Sequence, residues 1–329
     1  MGIALQTMTN ELTHVFLLSV GAFLLAMFLT PIYTFFAYRY RFWKRQRSES
    51  TDGKKLKVFA KFQAAKLRRN IPTMAGVIGV ISIFVVTIFF NLDRAQTWLP
   101  LAALVGGGIV GLIDDIINLR GLGGGAAGLR SPVKFALITL IGVVLGWFFF
   151  AKLGVASFHV PFVGEVNIGW LIVPLFAFAV VATGNAVNIS DGMDGLAGGL
   201  LGISFGAFGV IALLQQHVIL AGFCFTVVGV LLSYLWFNIY PARFFMGDVG
   251  SFAYGACLGV VAMLTDSLLL LPVIGLLFVI EAGSSLTQIV SKKLFKRKIF
   301  LSAPIHHHLE AIGWPETKVT MRFWVIGCV

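Results

Sequence analysis

The chain has 329 residues, of which 58% are hydrophobic and 12% charged, with a mean hydropathy of +0.92, and this excludes a soluble enzyme of the same length in favour of a polytopic membrane protein. The net charge of +11 does not carry a nucleic-acid reading, because no soluble stretch remains to host a basic binding domain. The positive charge reads instead as topology signal and attraction to anionic headgroups, so membrane lipids are the expected surroundings and nucleic acid is not an expected partner.

In chain order, apolar runs long enough for the ~30 Å hydrocarbon layer predict spans at Thr13–Tyr38, Pro72–Phe90, Trp98–Ile117, Pro132–Ala151, Gly169–Ile189, Leu196–Leu214, Val218–Trp236, Gly250–Leu264 and Ser267–Val290. A tenth begins at Phe323 and stops at Val329, too short to cross, so that either the sequence is clipped or the last helix is vestigial. The polar stretch Arg39–Lys66 predicts a partly disordered cytoplasmic linker. Ser157–Ile168 alternates and turns at Val163-Gly164, which predicts a small external hairpin. The expected fold is therefore all-α and polytopic, with about ten transmembrane helices and a single integral membrane domain over residues 1–329.

Orientation follows from the basic residues. All of the 25 Lys and Arg except Arg94 and Lys152 fall on one side of this topology, which predicts an outside N-terminus and cytoplasmic basic loops. Nothing basic precedes Arg39, so the first span lacks a signal-peptide n-region and is expected to remain as an anchor. Cys224, Cys257 and Cys328 are dispersed in apolar segments without metal spacing and read as packing residues.

Against this background five aspartates stand out beside glycines at the ends of apolar helices: Asp114 and Asp115 in GLIDD, Asp191 and Asp194 in NISDGMDGLAGG, and Asp248 in FMGDVGS. A carboxylate at mid-bilayer costs roughly 2.5–3.5 kcal/mol on insertion scales, so a chain this apolar that keeps five is using them. In the predicted topology all five, and His306, His307 and His308, fall on the cytoplasmic side. One shared site at that boundary, open to a water-soluble reactant and to a lipid, accounts for the convergence. Asn185, Asn188 and Asp191 recur every three residues on one helix face, and Glu281, Ser284, Ser285 and Gln288 form a second polar face. Interhelical hydrogen bonding accounts for the second face as well as a role in the site does. Carboxylates with Asn and His, near loops carrying Arg68, Arg69, Lys134 and Lys292, suit Mg²⁺ and phosphate oxygens. Adjacent histidines point in different directions, so a structural zinc site is disfavoured relative to phosphate contact or loop closure.

The motifs IPTMAG at 71–76, GLIDD at 111–115, NAVNISDGMDGLAGG at 185–199, FNIYPARFFMGDVGS at 237–251 and APIHHHLEAIGWPE at 303–316 are arranged as in the polyprenyl-phosphate N-acetylhexosamine-1-phosphate transferases. Over nearly its whole length the chain closely resembles their peptidoglycan branch, with APIHHHLE as the branch-specific part. The resemblance implies transfer of phospho-N-acetylmuramoyl-pentapeptide from its UDP carrier to undecaprenyl phosphate, giving lipid I and UMP at the cytoplasmic face of the bacterial inner membrane. It implies Asp248 as the Mg²⁺ ligand and Asp114 as proton acceptor, with Asp115 as its partner. Uridine recognition maps onto Asp194, Asn238 and Phe245, ribose and phosphate positions onto Thr73, Asn188, Asp191 and Gly247, and further polar positions onto Lys134 and Gln288. His306, His307 and His308 are placed near the diphosphate or sugar. A homodimer is implied too. Arg68 stands where the family usually has Lys, and Asn118 where Lys or Asp is common. Two alternatives remain: a transferase of N-acetylglucosamine-1-phosphate to the same lipid, and an ion-coupled transporter, which is expected to hold its carboxylates near the midplane of paired repeats that are not seen here.

Overall fold

The computed structural model describes residues 2–43, 70–121 and 128–329. The predicted linker from Lys44 onward, together with Arg68 and Arg69, lies outside the described residues. The rest is a helical bundle: α1 (Gly2–Arg39), α2 (Gly76–Phe90), α3 (Trp98–Arg120), α4 (Ser131–Leu153), α5 (Ile172–Ser190), α6 (Leu196–Leu214), α7 (Val218–Asn238), α8 (Gly247–Leu264), α9 (Leu271–Ile274), α10 (Leu276–Leu294), α11 (Ile305–Ala311) and α12 (Glu316–Cys328). Between α4 and α5 the strands β1 (Ser157–Val160) and β2 (Gly164–Asn167) pair antiparallel, with Val160 opposite Gly164. The turn is therefore at Pro161–Val163, slightly earlier than the alternation predicts, because Val163 N–H closes back on Val160 C=O at 3.0 Å and Gly164 already pairs.

Among the described residues seven helices are long and apolar enough to cross a membrane, and eight when a bent pair is taken as one span. That is fewer than the nine full spans expected, for two physical reasons. The predicted second span shrinks to the 15 residues of α2. Its intended first turn, Pro72 to Ala75, spends its backbone on other loops instead: Pro72 C=O accepts from Phe245 N–H at 2.8 Å, Thr73 N–H donates to Phe42 C=O at 2.9 Å, and Ala75 N–H donates to Phe245 C=O at 3.0 Å. The predicted ninth span is broken at Gly275, where Leu268–Ile274 and Leu276–Leu294 meet at 80°. The segment starting at Phe323 is the second half of α12, which begins earlier, at Glu316, directly after Pro315.

The centre of the bundle is α8. Every residue from Gly247 to Met263 in it is buried, so its neighbours must approach its backbone closely. They do so through glycine, the usual device where helices pack without a hydrophobic driving force between them. A β-carbon on Gly107 of α3 would lie 2.6 Å from the Phe252 carbonyl oxygen, and one on Gly111 would overlap the Asp248 carbonyl. On the other flank a β-carbon on Gly255 would meet the Thr183 carbonyl oxygen of α5 at 2.8 Å, and one on Gly259 the Ala179 carbonyl oxygen at 2.9 Å. Both pairings run antiparallel. They bring the C-terminal ends of α3 and α5 to the N-terminal end of α8, which sets Asp114, Asp115, Asn188, Asp191 and Asp248 at one end of the bundle. Cys224 and Cys257 are buried in the core and Cys328 is exposed, all as free thiols.

Gly111→Ala is expected to lower stability by about 1–3 kcal/mol, the usual range for forced overpacking, because backbone rather than a mobile side chain blocks the new methyl group. Gly202, whose β-carbon would meet nothing within 4 Å, is the control. Gly202→Ala should stay within about 0.5 kcal/mol of the parent. Thermal denaturation of the two variants in detergent checks the contrast.

Candidate active site

Three elements contribute to the carboxylate cluster. Asp114 and Asp115 sit near the end of α3, Lys134 in the first turn of α4, and Asp248 in the first turn of α8. The Lys134 ammonium lies between two of the carboxylates, 2.9 Å from Asp114 Oδ2 and 2.7 Å from Asp248 Oδ2. All three side chains are largely screened from solvent, at 15%, 3% and 11% exposure for Lys134, Asp114 and Asp248 respectively. Asp114 Oδ1 accepts the Leu129 N–H at 2.6 Å, which leaves so little room that a β-carbon on Gly128 would lie 2.8 Å away. Asp115 Oδ2 accepts the Val249 N–H at 3.1 Å, capping the start of α8 from a neighbouring helix. That contact needs Gly247 on two counts. Its φ is +75°, in the left-handed region, and a β-carbon there would lie 2.6 Å from Asp115 Oδ2.

The donor chemistry of this cluster fits magnesium. Hard carboxylate oxygens, with one or two protein ligands and the remainder from water and phosphate, are what that ion takes. Asp114 and Asp248 already hold one cation, the Lys134 ammonium, between them.

The second predicted group surrounds the loop from Asp191 to Gly195. Asn188 Nδ2 donates to Ser251 Oγ at 2.9 Å, tying the end of α5 to α8 one turn past Asp248. Asp194 is buried, and its Oδ2 accepts the Ala242 N–H at 3.0 Å. Asn238 is buried as well: Oδ1 accepts the Gly195 N–H at 2.9 Å and Nδ2 donates to the Phe244 carbonyl at 2.8 Å. In this arrangement both residues hold the 239–245 loop against the 191–195 loop. Phe245, half-buried, follows at the far end of that loop, and its backbone is bonded on both sides to the Pro72–Ala75 stretch. Thr73 is buried beneath it, its carbonyl accepting a bond from the Tyr33 hydroxyl of α1. Asp191 caps the end of α5, and Gly247 packs against Met74.

The histidines take three different directions. His306, fully buried, pairs through Nδ1 with Glu281 Oε2 of α10 at 2.7 Å, and its ring presses on the backbone of Gly192, where a β-carbon would collide with Nε2. His307 Nδ1 lies 3.1 Å from Glu310 Oε2, and His308 Nδ1 accepts the Leu301 N–H at 3.3 Å. The three ring nitrogens named here face three different partners. Burial holds His307 below the usual histidine range, against the favourable Glu310 carboxylate. The polar face of α10 proves to be the seat of this loop. Ser284 Oγ accepts the Ile305 N–H at 2.9 Å, and Gln288 uses its whole amide on Ile299 N–H, Phe300 N–H and Phe300 C=O at 3.0, 3.1 and 2.9 Å. Gln288 thus carries the loop. Arg68 lies outside the described residues.

Sequence reasoning passes over the clasp that α12 makes on the same loop. Glu316 Oε1 accepts the Asp194 N–H at 2.6 Å, Thr320 Oγ1 donates to the Asp194 carbonyl at 3.2 Å, and Trp324 Nε1 donates to the Gly195 carbonyl at 3.2 Å. The glutamate of GWPE is the available signal, an acidic residue in the first turn after Pro315. Its partner lies 122 positions earlier.

Comparison with known proteins adds an independent line. Residues 97–266 match the family model described as Glycosyl transferase family 4. The chain is 38% identical to a Chloroflexus aggregans protein named phospho-N-acetylmuramoyl-pentapeptide-transferase, over 100% of this chain and 90% of that one. Proteins of the same name from Geobacillus thermodenitrificans and Oceanobacillus iheyensis are 36% and 35% identical, covering 93% and 96% of this chain and 92% and 95% of theirs.

Because His307 is held neutral by burial, its contribution to stability is present above the unfolded-state value of about 6.5 and is lost as pH falls from there toward the lower folded-state value, with a slope of up to about 1.4 kcal/mol per pH unit. His307→Gln should flatten that part of the stability profile. Denaturation midpoints of parent and variant between neutral and mildly acidic pH provide the check.

Proposed function

The chain belongs to the Glycosyl transferase family 4 and, within it, to the phospho-N-acetylmuramoyl-pentapeptide-transferases, and on that premise we propose that it transfers phospho-N-acetylmuramoyl-pentapeptide from UDP-N-acetylmuramoyl-pentapeptide to undecaprenyl phosphate, forming lipid I and UMP in peptidoglycan synthesis. The reaction makes a phosphorus–oxygen bond between a lipid phosphate oxygen and the sugar-bearing phosphorus. The bond from that phosphorus to the UMP oxygen breaks.

The observation that carries this reading of the site is the bridge from Lys134 to Asp114 and Asp248, with Asp115 fixed beside it on the first turn of α8. Two anionic reactants must meet here, and carboxylates alone would repel both. Asp248 would hold Mg²⁺, which when bound neutralises the diphosphate and the departing phosphate. Lys134 contributes a second positive charge that moves from carboxylate to phosphate as substrate enters. Asp114, which already accepts two hydrogen bonds, orients the lipid phosphate and takes its proton where one is present. Since that phosphate is already acidic, positioning contributes more than basicity. Asp115 acts by holding Gly247 and Val249 in place, so that the N-terminus of α8 presents backbone N–H groups to an anion.

Uridine falls to the loop assembled by Asp194 and Asn238, where Phe245 offers a ring for stacking. Thr73, Asn188, Asp191, Gly247 and Gln288 line or support the ribose and phosphate path, Arg68 supplies charge from the basic linker, and the loop that His306 seats on Glu281 brings His307 and His308 over the diphosphate and sugar. The one-sided distribution of Lys and Arg supports a cytoplasmic location for this end of the bundle, with the N-terminus and hairpin outside. A second copy of the chain is the expected partner in the membrane.

Purified protein supplied with undecaprenyl phosphate, Mg²⁺ and UDP-N-acetylmuramoyl-pentapeptide should release UMP, and should not do so with UDP-N-acetylglucosamine. Asp248→Ala and Asp115→Ala should each lose at least ~10³-fold in rate, about 4 kcal/mol of barrier. Release that persists near the parent rate in Asp248→Ala removes the metal role, and release with the N-acetylglucosamine donor alone reassigns the sugar.

A further inference from the structure

A different group of side chains lies at the other end of α8. Its 18 residues span about 27 Å, and just past its C-terminus Asp266 meets the external hairpin. There His159 of β1, Glu165 of β2 and Asp266 each present a ligand atom, and these three atoms lie within 4.8 Å of one another. The strand register fixes the first two, since His159 sits directly opposite Glu165, with Nδ1 3.5 Å from Glu165 Oε1. The third is fixed across a sequence gap of 107, because Asp266 Oδ1 accepts the His159 N–H at 2.9 Å. The hairpin therefore docks on the α8 turn by bringing two carboxylates together rather than apart.

From this geometry we propose that His159, Glu165 and Asp266 form a binding site for a divalent cation of the zinc type, which clamps the hairpin to the end of α8. Among the described residues no Lys or Arg pairs with either carboxylate. Their proximity shows in their chemistry. The Asp266 carboxyl is pushed up by burial and by Glu165, while Glu165 is held down chiefly by the Ser157 hydroxyl, which donates to its Oε2 at 3.0 Å. A cation held between them would neutralise both carboxylates. One imidazole and two carboxylates with open positions suit a borderline metal such as Zn²⁺ better than Mg²⁺, which prefers oxygen alone. The two strands are only four residues each, too short to hold a hairpin without other support. A metal would supply that support.

The test is equilibrium dialysis of the purified full chain in detergent against Zn²⁺ at neutral pH, with bound metal measured by atomic emission. One tightly held Zn²⁺ per chain is expected, with affinity reduced at least tenfold in His159→Ala and in Asp266→Asn. Glu165→Gln, on an exposed strand, gives the same result if either of those fails to fold. A variant with His306, His307 and His308 all changed to Ala should keep this zinc. Absence of stoichiometric binding, unchanged binding in His159→Ala and Glu165→Gln, or loss only in the triple-histidine variant would each overturn the proposal.

Discussion

Everything at the carboxylate end depends on how closely α3 can lie on α8. Where Gly107 and Gly111 replace side chains with bare backbone, the two helices touch carbonyl to α-carbon, and the carboxylates that follow on α3 reach the first turn of α8. A methyl group at either glycine would push Asp114 and Asp115 away from Gly247 and Val249. Residues chosen for chemistry are thus positioned by residues chosen for having no side chain at all.

Around that contact the bundle pairs several of its charged groups with partners from other elements. Lys134 from α4 spans Asp114 and Asp248, Glu281 from α10 meets His306 from α11, and Glu316 from α12 receives the Asp194 backbone. Isolated, each of these groups would carry a heavy desolvation cost in an apolar interior. Paired, they tie α3, α4 and α8 to one another, α10 to α11, and α12 to the 191–195 loop.

Much of this is legible in the sequence because lipid imposes strong rules. Runs of apolar residues mark helices, and alternate helix ends return to the same side, so counting spans is enough to bring Asp114, Asp191, Asp248 and the histidines together. What hydropathy cannot register is a change of direction within an apolar run. Ser267 to Val290 reads as one span although the chain bends by 80° at Gly275, and Pro72 to Ala75 reads as helix although its amides serve loops instead. Nor does composition distinguish a polar side chain that faces a ligand from one that feeds its own backbone. Gln288 and Asn238 are expected from sequence to meet substrate, and in the structure their amides are spent on Ile299, Phe300, Gly195 and Phe244. Long-range pairs such as Glu316 with Asp194 leave no local pattern to read.

The clasp of α12 on the 191–195 loop has a bearing on biogenesis. Glu316, Thr320 and Trp324 are translated more than a hundred residues after the backbone they secure. A ribosome-bound intermediate that has already inserted α1 to α8 holds this loop through Asn238 and Ala242 but still lacks the three bonds from α12. The 191–195 loop therefore reaches its full set of hydrogen bonds only once α12 has been made and has packed against it.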